Sequence, residues 1–236
     1  MGPWEEHILQ SFLPAESEAQ VLKTMTSLAH QLGFDYCAYG LRLPIPPSNP
    51  PVIMLCNYPT DWTAQYVAHN YLAIDPTVRQ ALRAIGPFVW SEELFATEHA
   101  FWEEAQSYGL QSGLANVCRD AGGVMGMLTL ARPGDDITDI EWQAISARVL
   151  RLTEAAHWAL RRLVAPRLCP ELNAALSRRE TEVLRWAGDG NTAGKIAEMP
   201  HISERTVNFH VHNAMAKLNA TNKTDAVLRA AVLGLL

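Results

Sequence analysis

The stretch from Ser203 to Leu218, SERTVNFHVHNAMAKL, most narrows what this chain can become. Its apolar positions Val207, Val211, Met215 and Leu218 recur at three and four residues, which stacks them on one face of a helix. Ser203 stands where an N-cap belongs. The side away from the apolar stripe carries Arg205, Asn208, His212 and Lys217, all hydrogen-bond donors and two of them cations. Just upstream, Thr192 to Glu198 reads as a short helix and Met199-Pro200-His201 as a turn. Two short helices joined by a tight turn, the second one polar outside, form a helix-turn-helix whose second helix can offer donors to base edges in a major groove.

The flanking residues extend this unit to four helices. Ser177-Arg178-Arg179-Glu180 is a capping box, so a helix starts there and runs through Val183, Leu184 and Trp186 to Gly188. A last helix starts at Asn222, with Asp225 at its third position, and runs to Leu233. In this order and spacing, LSRRETEVLRWAGDGNT, ISERTVNFHVHNAMAKL and NKTDAV resemble the DNA-binding domain of LuxR-type transcription regulators, over Leu176 to Leu236. The resemblance implies structural roles for Glu180, Leu184 and Gly190. It implies a DNA face of Arg205, Thr206, Asn208 and His212, with Lys217 and Lys223 placed for phosphates. Three positions depart from the usual family pattern: Asn191 where Lys is common, Lys195 where Glu is common, and Pro200 where Leu is common.

Charge separates this end from the rest. Residues 1–165 hold 10 Lys and Arg against 18 Asp and Glu, a net of −8, whereas residues 166–236 hold 9 against 7, a net of +2. The basic end suits DNA and the acidic part does not, because phosphate contacts need cations. With 236 residues and 48% apolar composition the chain can build two cores. Cys37, Cys56, Cys118 and Cys169 form no CxxC and no cationic apolar leader precedes them, which reads as reduced thiols in a cytoplasmic protein. No apolar run reaches membrane-spanning length.

In the acidic part, Ser17 caps an amphipathic helix that stops at Gly33, and strands are expected at Asp35 to Leu43 and Val52 to Cys56 around a proline-rich loop. Asp61 is read as the cap of one helix and Asp75-Pro76 as the start of another, which carries Val78, Ala81, Leu82 and Ile85 inward. A short strand at Phe88 to Trp90 precedes a helix opened by Ser91 or Thr97. Strands at Gly113 to Arg119 and Val124 to Ala131 flank a glycine turn. Thr138 to Glu141 is a second capping box, opening a long helix that ends near Leu163, with Pro166 and Pro170 in a linker. Helices mixed with antiparallel strands fit an α-β-α sandwich better than a parallel sheet.

From Asn57 to Trp90 the chain gathers Tyr58, Trp62, Tyr66, Tyr71, Asp75 and Trp90, large apolar groups with polar tips plus one acid. The pattern alone favours an aromatic core in which Asp75 only caps its helix. YPxxW followed by DP and Trp90, together with GFDYCAYG, FWEEAQSYGLQSG and GMLTLAR, resembles the signal-binding domain of LuxR-type regulators that sense N-acyl homoserine lactones. The resemblance implies Trp62 on the lactone carbonyl, Asp75 on the amide N–H and Tyr58 on the acyl carbonyl, with Thr129 as a second donor. It also implies Trp90 and Phe101 on the lactone ring, and Ala38, Gly40, Val52, Tyr66, Ala115 and Met127 around the acyl tail.

Competing chemistries fit less well. His210 and His212 alternate on a helix and face apart, so they do not chelate a metal. Asp135-Asp136 resembles the acidic pair of a phosphorylated receiver domain, the main rival because some response regulators carry this DNA-binding domain. It precedes a helix, however, where a receiver places its pair after the first strand. No GxSxG elbow supports a lactone-cleaving enzyme.

The expectation is an α+β protein with an α-β-α sandwich sensor with an antiparallel sheet at residues 1–165, a linker at 166–175 and a four-helix DNA-binding domain at 176–236. It is a cytoplasmic homodimer that takes an N-acyl homoserine lactone and no cofactor, metal or membrane. It binds an inverted repeat of double-stranded DNA and works with RNA polymerase.

Overall fold

The computed structural model describes residues 3–199 and 201–236. Pro200, in the expected turn, lies outside the described residues. The chain divides into two compact units: residues 1–41, 52–119 and 125–163 form one, and residues 42–51, 120–124 and 164–236 form the other.

The first unit is built on a five-stranded antiparallel sheet of β1 (Tyr36–Arg42), β2 (Val52–Cys56), β3 (Phe88–Val89), β4 (Ser112–Arg119) and β5 (Met125–Arg132), in the order β2-β1-β5-β4-β3. Strand alternation sends neighbouring residues of β1 to opposite faces. Cys37, Tyr39 and Leu41 are fully buried on one face: Cys37 Sγ meets Thr26 of α2 (Glu18–Gln31), and the Tyr39 hydroxyl lies 2.9 Å from His157 Nδ1 of α7 (Asp139–Leu168). Ala38 and Gly40 point the other way. On that side lie α3 (Thr60–Ala68), α4 (Pro76–Ala81), α5 (Glu92–Phe95) and α6 (His99–Ser107). Helix α1 (Pro3–Phe12) precedes α2, and Ser17 caps α2 by accepting the Gln20 amide.

Several boundaries differ from the sequence expectation. Helix α3 begins at Thr60 behind Pro59, so Asp61 falls in the first turn and makes no cap bond. Helix α4 stops at Ala81 because the Arg119 guanidinium binds the carbonyls of Ala81, Leu82 and Ala84. Those are the groups a helix end leaves unpaired. Leu82 and Ile85, expected inward, are instead exposed. Ser91 does cap a helix, the short α5, but α6 is a separate helix with Glu98 at its cap position.

The second capping box is half formed. Thr138 accepts the Glu141 amide, while the Glu141 carboxylate is held by both guanidinium nitrogens of Arg132, at 2.6 and 2.8 Å. Helix α7 does not stop near Leu163; it carries Pro166 inside and continues to Leu168. A proline inside a helix costs about 3 kcal/mol. Burial of Val164, Ala165 and Cys169 on either side works against that cost.

In the second unit four helices follow, α8 (Arg178–Gly188), α9 (Ala193–Glu198), α10 (Glu204–Lys217) and α11 (Lys223–Val232). Ser177, Thr192, Ser203 and Asn222 each accept an amide of the helix they precede. The Ser177–Glu180 box is complete in both directions. Val183, Ile196, Ala197, Val207 and Val211 form the shared core, with Trp186, Ile202 and Met215 packed at its edge.

Candidate functional site

Between the sheet and helices α3 to α6 lies a cavity with about 720 Å³ of atom-free space including its mouth. The aromatic groups meet here. Trp62, at 2% exposure, has Tyr66, Tyr71, Phe101 and Tyr108 around it at ring separations of 5.6–5.9 Å. Trp90 stands edge-on to both Phe95 and Trp102, which are stacked on each other at 4.1 Å. Its indole Nε1 is buried with no hydrogen-bond partner among the described residues. Such a donor is costly to bury unless something accepts from it.

Asp75 is the polar centre of this wall. Its Oδ1 accepts the Thr77 amide at 2.8 Å and the Thr77 hydroxyl at 2.7 Å, and its Oδ2 accepts the Tyr66 hydroxyl at 2.8 Å. It therefore does cap α4, with Pro76 at the first helical position. Capping and wall are compatible, because the cap uses Oδ1 and leaves Oδ2 aimed at Tyr66. Burial is the largest influence on its titration and pushes the carboxyl above the usual range against the pull of the Thr77 and Tyr66 bonds. Burial also raises the Tyr58 and Tyr66 phenols, so both remain neutral donors. At the margin, Tyr71 donates to Glu104, a bond that pushes its phenol up to about 12.

Of the residues expected here, Ala38, Gly40, Val52, Tyr58, Trp62, Tyr66, Asp75, Trp90, Phe101, Met127 and Thr129 all line the cavity. Ala115 does not. It pairs with Thr129 across β4 and β5, but it is fully buried and no part of the wall. Met54, Thr77, Phe95, Trp102 and Leu110 are wall residues that the sequence reading missed. Thr77 had a local signal, the Asp-Pro-Thr turn, in which the acid binds two residues on. The others come from distant elements and had none.

The second site is the outer face of α10. Arg205, Asn208, Phe209, His212 and Ala216 are exposed, whereas Val207, Val211 and Ala214 are buried. Thr206 is half-buried, and its hydroxyl is tied to Ser203 at 2.8 Å. Lys217, expected to reach phosphate, has its ammonium 2.7 Å from the buried carboxylate of Glu180. This contact joins the last turn of α10 to the first turn of α8. Lys223 opens α11 and is exposed.

A narrow apolar cavity with one buried acid, together with a helix-turn-helix, defines a small-molecule-responsive DNA-binding regulator. Comparison with known proteins makes this specific. Residues 17–160 match the autoinducer binding domain and residues 174–230 match the bacterial regulatory proteins of the luxR family. The transcriptional activator protein AnoR of Acinetobacter nosocomialis is 42% identical over 238 residues, covering 100% of both chains. The crystal structure of Escherichia coli SdiA superposes with a TM-score of 0.84 at 34% identity, over 98% of this chain and 97% of that one. A structure of SdiA in complex with octanoyl-rac-glycerol gives 0.81 at 32% identity, over 98% and 95%.

The chain belongs to the LuxR family of quorum-sensing transcription regulators. That family consists of regulators and not enzymes, which removes the lactone-cleaving alternative. The autoinducer domain occupies the place where the rival reading needed a receiver. No helix of the described residues is long and apolar enough to cross a membrane.

Proposed function

We propose that the cavity holds an N-acyl homoserine lactone whose amide N–H donates to Asp75 Oδ2, and that a homodimer of this chain then binds an inverted repeat of DNA. The observation that carries it is the state of Asp75, an acid buried at 8% exposure in an aromatic wall with one oxygen saturated and the other directed along that wall. A secondary amide answers this with one N–H. Tyr58 donates to the acyl carbonyl, Trp62 to the lactone carbonyl, and Thr129 serves as a further donor. Trp90 and Phe101 pack on the ring, and Ala38, Gly40, Val52, Tyr66 and Met127 bound the tail. That SdiA, of the same fold, forms a complex with octanoyl-rac-glycerol supports an acyl-bearing ligand.

Residues 1–165 are the sensor, 166–175 the connection and 176–236 the DNA-binding part. In the cytoplasm, a ligand that binds only the folded sensor stabilises it by about 4 kcal/mol at a thousandfold excess over Kd. Two α10 helices in a dimer read half-sites about one DNA turn apart, with Arg205, Thr206, Asn208 and His212 on the groove side and Lys223 on phosphate. At the promoter the dimer works with RNA polymerase. The test is thermal unfolding of the full chain with homoserine lactones of four to twelve acyl carbons, against octanoyl-glycerol. A rise in Tm with lactones that Asp75→Asn reduces supports the reading. A rise with octanoyl-glycerol alone, or with neither, rejects the lactone.

A further inference from the structure

The outer ridge of α10 holds a residue that the donor-based description of the groove face omits. At about 100° per residue, the core positions Val207, Val211, Ala214 and Leu218 centre on one line of the helix. The residues opposite that line are Arg205, Phe209, His212 and Ala216, spaced four, three and four apart. All four are exposed. Asn208 sits on the flank of this ridge, and Phe209 sits at its middle with 60% of its surface exposed. Its ring meets the neighbouring His210 edge-on at 5.6 Å and is absent from the core that Val207 and Val211 share.

We infer that Phe209 is a specificity-determining residue that reads thymine, by packing its ring against a thymine methyl group in the major groove. The inference rests on the assignment of α10 as the base-reading helix. Among the base edges in the major groove, only thymine presents an apolar group, and apolar side chains including Phe recognise it by contact. Arg205 and His212, one turn to either side, offer donors to acceptor edges, so an apolar group between them fits a methyl flanked by acceptors. Solvent gains nothing from a phenyl ring held in that position, whereas a groove that covers it removes its surface from water.

The test uses the full-length chain and duplexes selected from a randomised pool, with wild type, Phe209→Ala, Phe209→Leu and Asn208→Ala. Deoxyuridine then replaces each thymine of the selected half-site, deleting only the methyl. One position should weaken wild-type binding roughly fourfold, the worth of one buried methyl. That loss should persist in Phe209→Leu and vanish in Phe209→Ala, whose Tm should match wild type because the ring lies outside the core. If no thymine is methyl-sensitive, or if Phe209→Ala keeps the same sensitivity, the inference is overturned while Asn208→Ala still changes the selected sequence. If neither Asn208→Ala nor Phe209→Ala changes it, α10 is not the base-reading helix and both assignments fall.

Discussion

The ammonium of Lys217 and the backbone amide of Ser177 meet on a single oxygen, Oε2 of Glu180, each at 2.7 Å. Glu180 is buried at 4% exposure, so this contact ties the end of α10 to the start of α8 through a carboxylate largely covered by the fold. A cation placed by sequence on the phosphate side of the recognition helix is thereby committed to holding the helices together.

Lys217→Met should lower the stability of the DNA-binding unit by about 1–3 kcal/mol, because it leaves a buried carboxylate short of a partner. It should leave the salt dependence of DNA binding unchanged. Chemical denaturation gives the first quantity and titrations across salt the second; a shallower salt slope in Lys217→Met would return the residue to the phosphates.

The same carboxylate predicts acid sensitivity. Burial, the largest influence, raises its pKa, but the Lys217 and Ser177 bonds together outweigh burial and hold it below the usual range. A lowered folded pKa contributes stability that is present above the unfolded value of about 4.3 and is lost as pH falls through the folded one. Glu180→Gln should therefore be less stable than wild type at neutral pH, and the gap should close as pH drops below about 4. Thermal unfolding of both proteins between pH 3 and 7 measures it.

Asp75 has the opposite sign. Its raised carboxyl pKa means that protonation favours the fold, so its contribution is greatest below about pH 3.9 and is lost as pH rises through the folded value. Asp75→Asn should flatten this part of the pH profile and reduce the lactone-induced rise in Tm. Asp75→Ala also removes the cap of α4 and should cost about a further 1 kcal/mol without ligand. Equal lactone response in all three proteins would take Asp75 out of the binding role.

Ala38→Leu narrows the cavity wall directly, whereas Ala115, paired with the wall residue Thr129, is fully buried and does not itself line the cavity. Overpacking costs about 1–3 kcal/mol at either position. At Ala38 the loss should grow with acyl length in a lactone series. At Ala115 it should appear as a lower Tm without ligand and a uniform loss for all tails. The reverse pattern would exchange their roles.

Asn208→Ala should weaken the selected DNA site by about 1–3 kcal/mol and scrambled DNA very little. Lys223→Ala should weaken both and reduce the salt slope by about one. Binding titrations on the two duplexes across salt separate a base contact from a phosphate contact, and equal losses on both DNAs for Asn208→Ala would place it on the backbone.

The sequence alone determined what depends on neighbours within a turn or two. Ser177, Thr192, Ser203 and Asn222 each cap the helix they precede, because an N-cap needs only a side-chain oxygen two or three residues from a free amide. The alternation in β1 and the period of α10 likewise assign faces from local geometry. The family motifs assigned Tyr58, Trp62, Asp75 and Trp90 to one site, and all four line the cavity.

Tertiary structure decided what depends on a partner far along the chain. Arg119 ends α4, Arg132 takes Glu141 out of its capping box, Glu180 pairs with Lys217, and Phe95 with Trp102 completes the cavity. In each case a charge or a ring meets a group on another element, between seven and 38 residues away in the chain. The energy of meeting it outweighs the local preference, and the spacing of residues in one segment carries no record of what packs against it.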